Sequence, residues 1–452
     1  MCRFYSAIIL SFILAGQATS HADPVAPSDR VVVMMSIDGL AAFYFDDPKA
    51  EMPTIRELAA NGARSTMMKA STPTVTWPNH TTLVTGVNPA KHGVAGNNCY
   101  DRQSHQRLVF IADPVFDKDQ IVKVPTLYDL AKAQGLKTAS IRWPATRNAK
   151  ALDWTIPDMK PGSNVINYCT SALLDECEAN GIPIREGYAK GEVDDDLTTR
   201  AFNLMLHTNH PNFALLHVAY VDHIQHEKGP RTPEAYAAVK AADQQVRSVW
   251  DELQKDYPGK ATLIVVSDHG FSPIYHTVLP NVILRKAGLL SGDTNDTSSP
   301  VQVVVQGGAA MIYILDDAHR TELITKVANA FAGAEGVAKV VGPEQLKDYG
   351  VASPTQDPHA PDMMLFADEG CAFGNTANGE QPFRDKVELA GTHGHDSNLP
   401  HLHATFVACG YGIKPGTTIG EIANTCVAPT IARLLQLQLP DTDGAVLTSI
   451  LK

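Results

Sequence analysis

The chain has 452 residues, of which 44% are hydrophobic and 19% charged; this composition belongs to a folded globular protein and excludes a disordered, collagenous or coiled-coil one. Its 37 Lys and Arg against 49 Asp and Glu leave a formal net charge of −12, with no cationic surplus to grip a phosphate backbone, so a nucleic-acid-binding surface is not expected.

In chain order, residues 1–22 read as a signal peptide: Arg3 supplies the positive charge, residues 7–16 are nearly all apolar, and Ala18-Thr19-Ser20 or Ser20-His21-Ala22 offers a small-x-small cleavage site. An apolar run of about ten residues is too short for a membrane span, which needs about 20. No later stretch is long and apolar enough, so an exported protein, periplasmic or secreted and without a membrane span, is predicted. Losing Cys2 with the signal leaves Cys99, Cys169, Cys177, Cys371, Cys409 and Cys426. Six cysteines in an exported protein permit disulfides. Cys169 and Cys177 flank a short loop and are the preferred pair, whereas Cys409 could as easily be a buried free thiol.

Residues 31–37 form a continuous apolar run suited to a buried parallel strand, and it ends at Asp38-Gly39. Similar runs recur at 138–142, 213–221 and 261–267, with helix-like stretches near 54–60, 126–133, 197–206 and 233–253. This alternation predicts an α/β fold: a central, largely parallel sheet with helices on both faces. Residues 23–299 are read as the first part of a catalytic core, 300–367 as a smaller α/β insertion serving as lid or cap, and 368–452 as the closing part of the core. In such sheets ligands sit beyond the carboxyl ends of the strands. Asp38, Asp222 and Asp268 each come at or next to the end of an apolar run.

Several short motifs carry chemistry. Asp268-His269-Gly270 places a carboxylate and an imidazole at a strand end where both reach one cation, although alone it could equally be a turn in which Asp caps a helix. Asp222 and His226 are four apart, so on a helical turn they share a face at a separation one metal can bridge. His393 lies in the glycine-flanked loop Gly391-Thr392-His393-Gly394. With Asp38 these residues supply enough O and N ligands for two zinc ions. Thr76-Trp77-Pro78-Asn79-His80 puts a hydroxyl just before a proline that can open a helix, in the positive field of a helix N-terminus where a phosphoryl group is at home. On its own, that hydroxyl reads equally well as a cap. Trp77 and Tyr100 could stack on a nucleobase or simply pack. Lys91, Arg102 and Lys123 are candidate substrate cations or solvated surface charges. His217, His276, His359, His395, His401 and His403 read as surface or hydrogen-bonded loop histidines.

Taken together, Thr76-Trp77-Pro78-Asn79-His80, Gly93-Val94-Ala95-Gly96-Asn97, Asp38-Gly39, Asp222-x-x-x-His226, Asp268-His269-Gly270 and His393-Gly394 resemble the nucleotide pyrophosphatase/phosphodiesterase family of the alkaline phosphatase superfamily, in that family's motif order, from about residue 31 to 444. The resemblance implies an alkaline-phosphatase-like fold and two zinc ions, one held by Asp222, His226 and His393, the other by Asp38, Asp268, His269 and the nucleophile Thr76. It implies that Asn97 supports a phosphoryl oxygen of a small-molecule phosphodiester substrate; Trp77 and Tyr100 are the further candidate substrate contacts read from the residues themselves. A departure is Trp77, where the family usually has Phe after the nucleophile. A phosphomonoesterase, a phosphonate hydrolase or a non-catalytic zinc-binding protein are the alternatives. Oligomeric state is not legible.

Overall fold

In the computed structural model, which describes residues 25–111, 116–160, 164–291, 299–385 and 388–452, every residue of β1 (Val31–Ile37) is buried, which is why the run shows no polar alternation. The signal peptide expected at residues 1–22 lies outside the described residues. The chain continues through α1 (Pro53–Asn61), β2 (Ala63–Ser65), α2 (Thr76–Thr85), α3 (Leu127–Ala133), β3 (Thr138–Ile141), β4 (Trp154–Ile156), α4 (Asp195–Asn209), β5 (Phe213–Val218), α5 (Tyr220–Lys228), α6 (Pro233–Asp256) and β6 (Ala261–Val266). Then come β7 (Val301–Gln306), β8 (Ala309–Ile314), α7 (Arg320–Phe331), β9 (Val337–Val341), β10 (Met363–Ala367), β11 (Phe406–Gly410), β12 (Thr417–Ile419) and α8 (Val427–Leu435).

The main sheet has eight strands in the order β12-β2-β11-β6-β1-β5-β3-β4. β11 alone runs antiparallel to its neighbours, so the α/β architecture expected from the alternating runs is the one observed. Successive β1 side chains point to opposite faces. Val31, Val33, Met35 and Ile37 pack with Ile55 and Leu58 of α1, Phe202 of α4 and Val246 of α6, while Val32 and Met34 pack with Leu83 of α2, Leu127 of α3 and Ile431 of α8. Helices therefore cover both faces.

One boundary differs from the sequence reading. The apolar run 213–221 is not one strand: β5 stops at Val218 and α5 starts at Tyr220. The Asp195 carboxylate accepts from the Ala219 amide at 3.2 Å and the Tyr220 amide at 2.8 Å, satisfying the first donors of α5. Asp222 thus lies in the first turn of a helix rather than at a strand end.

The smaller sheet is antiparallel, in the order β7-β8-β10-β9. Leu323, Val327 and Phe331 of α7 pack on it, and its apolar cluster also takes in Val278, Leu284 and Phe373 from the flanking segments. The expected Cys169–Cys177 disulfide does not form. All six cysteines among the described residues are free; Cys169 Sγ donates to the Val165 carbonyl at 3.3 Å, and both thiols sit in the apolar core, where burial pushes Cys169 up to about 12 and Cys177 up to about 11. Cys409 is likewise a buried free thiol. Among the described residues no helix is long and apolar enough to cross a membrane.

Candidate active site

The parallel register sets Ser36 opposite both His217 of β5 and Val266 of β6, so the loops leaving β1, β5 and β6 emerge at the same end of the sheet. They bring Asp38, Asp222, His226, Asp268 and His269 together, and the 391–394 loop adds His393. Two groups of ligand atoms result, Asp38 with Asp268 and His269, and Asp222 with His269 and His393, each with its atoms within 4.8 Å of one another. His226 joins through Asp222, its Nε2 lying 3.4 Å from Oδ2 on the same face of α5, as the four-residue spacing requires. His223 is exposed and pairs with Glu227. The His269 and His393 rings stack at 3.7 Å between centroids.

The tautomers follow from what surrounds each ring. Nδ1 of His226, His269 and His393 lies against the carbonyls of Gly391 (2.9 Å), Gly270 (3.0 Å) and Thr74 (2.9 Å), respectively. A carbonyl only accepts, so Nδ1 carries the proton and Nε2 presents a lone pair. Those lone pairs face carboxylate oxygens: His269 Nε2 lies 3.1 Å from Asp268 Oδ2 and 3.3 Å from Asp38 Oδ1, and His393 Nε2 lies 3.5 Å from Asp222 Oδ1. Asp38 Oδ1, Asp222 Oδ1, Asp268 Oδ2 and His269 Nε2 are all buried without a hydrogen-bond partner. Lone pairs converging on lone pairs in a buried space are repulsive unless a cation sits among them, and a mixed carboxylate and imidazole set suits divalent zinc. The residues present therefore fit the metal.

The electrostatics agree. Burial, and then the charge of Asp222, holds Asp38 well above the usual carboxylate range. Burial, and then Asp38, pushes Asp268 up to about 8. His393 is depressed by burial and by its neighbours His269 and His226. Without a cation the two carboxylates resist the charge they would need to hold one, whereas His393 stays in the neutral form that binds metal.

Thr76 is the first residue of α2, whose N-cap is Val75 with no side-chain cap. The helix thus begins two residues before the proline expected to open it, and Thr76 does not serve as its cap. Farther along α2, Thr81 and Thr85 hydroxyls donate to carbonyls four residues back, but Thr76 has no preceding turn to bond. Among the described residues, what engages Thr76 is its carbonyl, which faces His80 Nδ1 at 2.9 Å, leaving the hydroxyl free. His80 Nδ1 is also 3.5 Å from Asp268 Oδ2, which ties the threonine to the ligand cluster. The Asn97 Oδ1 accepts from the Trp77 amide at 2.9 Å. That bond turns the oxygen toward the start of α2 and leaves the two N–H groups of the Asn97 side chain to donate.

Of the two alternatives the sequence left for Trp77 and Tyr100, stacking or packing, the structure shows packing: Trp77 is fully buried among Val94, Cys99, Phe110 and Ala145, and Tyr100 packs against Ala95, Met311 and Tyr313. Lys91, Arg102 and Lys123 are paired with Asp443, Asp362 and Asp357. Sequence reasoning missed two groups. His217 Nε2 lies 3.0 Å from Asp38 Oδ2, and its Nδ1 lies 3.0 Å from the Arg142 carbonyl, so it is a buried strand histidine and not a loop one. Gln225 accepts from Tyr44 Oη at 2.9 Å and donates to the Gly39 carbonyl at 2.9 Å, binding α5 to the Asp38 loop. Only the register of β1 and β5 reveals the first; nothing in a single sequence marks the second.

Residues 32–396 match the family described as type I phosphodiesterase / nucleotide pyrophosphatase. Venom phosphodiesterase CdcPDE of Crotalus durissus collilineatus is 24% identical over 432 residues, 93% of this chain and 46% of the relative. Ectonucleotide pyrophosphatase/phosphodiesterase family member 3 of Rattus norvegicus is 27% identical over 244 residues, 53% of this chain and 24% of the relative. This chain thus spans a quarter to a half of the length of those relatives. Among solved structures, murine ectonucleotide pyrophosphatase/phosphodiesterase 5, an inactive threonine-to-alanine variant in complex with AMP, superposes with a TM-score of 0.72 at 18% identity, covering 94% of this chain and all of that one. The fold is shared.

Proposed function

The chain belongs to the type I phosphodiesterase / nucleotide pyrophosphatase family, and from that premise we propose that it is an exported, two-zinc phosphodiesterase that works through a covalent phosphoryl-threonine at Thr76. The observation that carries the reading is the convergence of unpartnered carboxylate oxygens and imidazole Nε2 atoms beside a helix-start threonine whose hydroxyl is unbonded. Asp38, Asp268 and His269, with Thr76, would hold one ion, and Asp222, His226 and His393 the other. Bound zinc supplies Lewis acidity, lowering the pKa of a coordinated hydroxyl and neutralising charge on the phosphoryl oxygens.

The chain's own residues do the rest. Thr76 Oγ1 attacks phosphorus, giving up its proton to solvent as the O–P bond forms and the ester bond to the leaving alcohol breaks; the departing alkoxide takes a proton from solvent, so no net proton is gained or lost. Asn97, its Oδ1 held by the Trp77 amide, donates from Nδ2 to a phosphoryl oxygen as charge builds there. Water then hydrolyses the phosphothreonine, and two inversions leave the configuration at phosphorus retained.

A diester suits the charge balance. A monoester brings additional negative charge, and the three candidate cations near the motifs are already committed to Asp443, Asp362 and Asp357. The smaller sheet forms one wall of the cleft and receives the second ester substituent. The test compares kcat/KM for bis-p-nitrophenyl phosphate and p-nitrophenyl phosphate at one pH. The diester is expected to win; a tenfold monoester advantage, about 1.4 kcal/mol in transition-state stabilisation, would replace this reading with that of a phosphomonoesterase on the same site.

A further inference from the structure

The turn between β7 and β8 reaches out of the smaller sheet and packs between two loops of the main unit. Gln306, at its start, is only 4% exposed. Its side chain makes two hydrogen bonds across the junction: Oε1 accepts from the Asn97 amide at 3.1 Å, and Nε2 donates to the Asn98 carbonyl at 2.6 Å. On the other side of the turn, the Gly308 amide donates to the His393 carbonyl at 2.8 Å.

The contact is too close for side chains at Gly307 and Gly308 of the turn and at two glycines of the facing loops. A Cβ on Gly96 would lie 2.7 Å from Gln306 Nε2, and one on Gly394, whose φ of +98° already disfavours a side chain, would overlap the Gln306 carbonyl oxygen. One turn therefore touches the backbone of the proposed oxyanion donor and the backbone next to a proposed metal ligand. Asn97 itself is half-buried and is otherwise fixed by its Oδ1 bond to Trp77 and by the Phe110 and Ile111 amides on its carbonyl.

We propose that Gln306 is a positioning residue for Asn97: by gripping the main chain on both sides of the 97–98 peptide, it aims the Asn97 amide at the phosphoryl group, so that the smaller sheet is part of the catalytic apparatus and not only a wall of the cleft. This rests on the reading of Asn97 given above. A buried glutamine making two hydrogen bonds across a junction has a second possible use, simply holding the two units together. The two uses differ in what they change: positioning acts on the transition state through Asn97, whereas simple docking acts on stability, and on activity in a manner independent of Asn97.

The experiment is a double-mutant cycle of Gln306→Ala with Asn97→Ala on bis-p-nitrophenyl phosphate, with Gln306→Glu as the conservative variant and hydrogen exchange as the second readout. Gln306→Ala is expected to lower kcat about 10- to 100-fold with KM within about threefold and zinc content unchanged. In the Asn97→Ala background it is expected to cost less than about twofold. Gln306→Glu keeps the Oε1 acceptor for the Asn97 amide and should recover part of the lost rate. Amide exchange in a peptide spanning 94–101 should rise in Gln306→Ala while that of 220–228 does not. Equal fold-losses in the two backgrounds, a change confined to KM, or unaltered exchange at 94–101 would overturn the proposal. If Gln306→Ala does not fold, Gln306→Glu with full wild-type kcat and no partial coupling to Asn97 would overturn it as well. Absence of diesterase turnover in the wild type would instead remove the functional reading, and the exchange result would still decide whether Gln306 holds the Asn97 segment.

Discussion

Replacing Asp268 with Asn separates the needs of the metal from the needs of the fold. The Asp268 side chain is wholly buried, and burial followed by the charge of Asp38 raises its pKa from 3.8 to about 8. In the metal-free folded protein it therefore keeps its proton up to about pH 8, while the unfolded chain releases it near 3.8. Between those values the folded state binds more protons than the unfolded one, so stability falls as pH rises through that window. At about 1.4 kcal/mol per pKa unit the ceiling is on the order of 5 kcal/mol, and Asp38 shares in it because the two carboxyls titrate as a pair. A bound divalent cation reverses the sign by favouring the carboxylate.

Asparagine cannot ionise, and its Oδ1 can keep the bond that Asp268 accepts from the Gly39 amide at 3.2 Å. The assay is urea unfolding of chelator-treated and zinc-loaded protein at pH 5, 6.5 and 8. Chelated wild type is expected to lose stability between pH 5 and 8, and zinc-loaded wild type is not. Chelated Asp268→Asn should lose less over that range, by no more than about 4 kcal/mol, the ceiling for three pH units, and be the more stable of the two metal-free proteins at pH 8, although it binds zinc worse. A chelated variant with the same pH slope as wild type, or less stable than wild type at pH 8, would refute the argument that this carboxylate is held against its own preference for the sake of a cation.

Other expectations are briefer. If Thr76 is the nucleophile, Thr76→Ala should leave less than about 1% of turnover on an activated diester while keeping the fold, because it removes the hydroxyl proposed to form the ester bond; Thr76→Ser should keep part of it, and both are read by initial rates. Asn97→Ala should lower kcat by about 10² to 10³ with little change in KM, as for loss of one preorganised donor. His226→Ala leaves the Asp38, Asp268 and His269 group whole, so elemental analysis after zinc loading should fall from about two equivalents to about one.

Why some of this was legible in the sequence and some was not follows from the range of the interactions. Residues 31–37 and 261–267 announced buried strands because a parallel sheet covered on both faces leaves no polar positions, and Asp38 and Asp268 follow from where such strands end. Asp222 and His226 were visible because one helical turn sets their spacing, although the strand-to-helix switch at Val218 was not, since it is made by Asp195 from a distant helix. For Trp77 and Tyr100 stacking and packing stayed open because an aromatic beside such a motif looks the same in sequence whether its ring faces solvent or, as here, the core. Cys169 and Cys177 were paired on loop spacing, and the core in which both thiols are buried is assembled from segments far apart in the chain. His217, Gln225 and Gln306 act across 179, 186 and 209 positions of chain, respectively, and no local pattern encodes such partners.

Those long-range partners hold the six proposed ligands, from four segments, facing one another. His226, His269 and His393 are each oriented by a carbonyl on Nδ1, Asp38 by His217 on the oxygen turned away from the cluster, and the Asp38 loop is bound to α5 by the two hydrogen bonds of Gln225. Removing Gln225 would leave the Tyr44 O–H donor and the Gly39 carbonyl without their partners in a buried space, although the Tyr44 oxygen still accepts from the Arg231 amide at 3.0 Å, at about 1–3 kcal/mol for each buried group left unpaired. Folding thus bears the cost of holding like-charged and lone-pair-bearing atoms together, and that cost is offset only when a cation arrives. A site so constructed need not reorganise as charge builds on a phosphoryl group, which is the condition under which fixed ligands and donors lower a barrier most effectively. It follows that the instability of the metal-free site and the reactivity of the loaded one have the same physical origin, and substitutions that relieve the first, Asp268→Asn foremost, should lose the second.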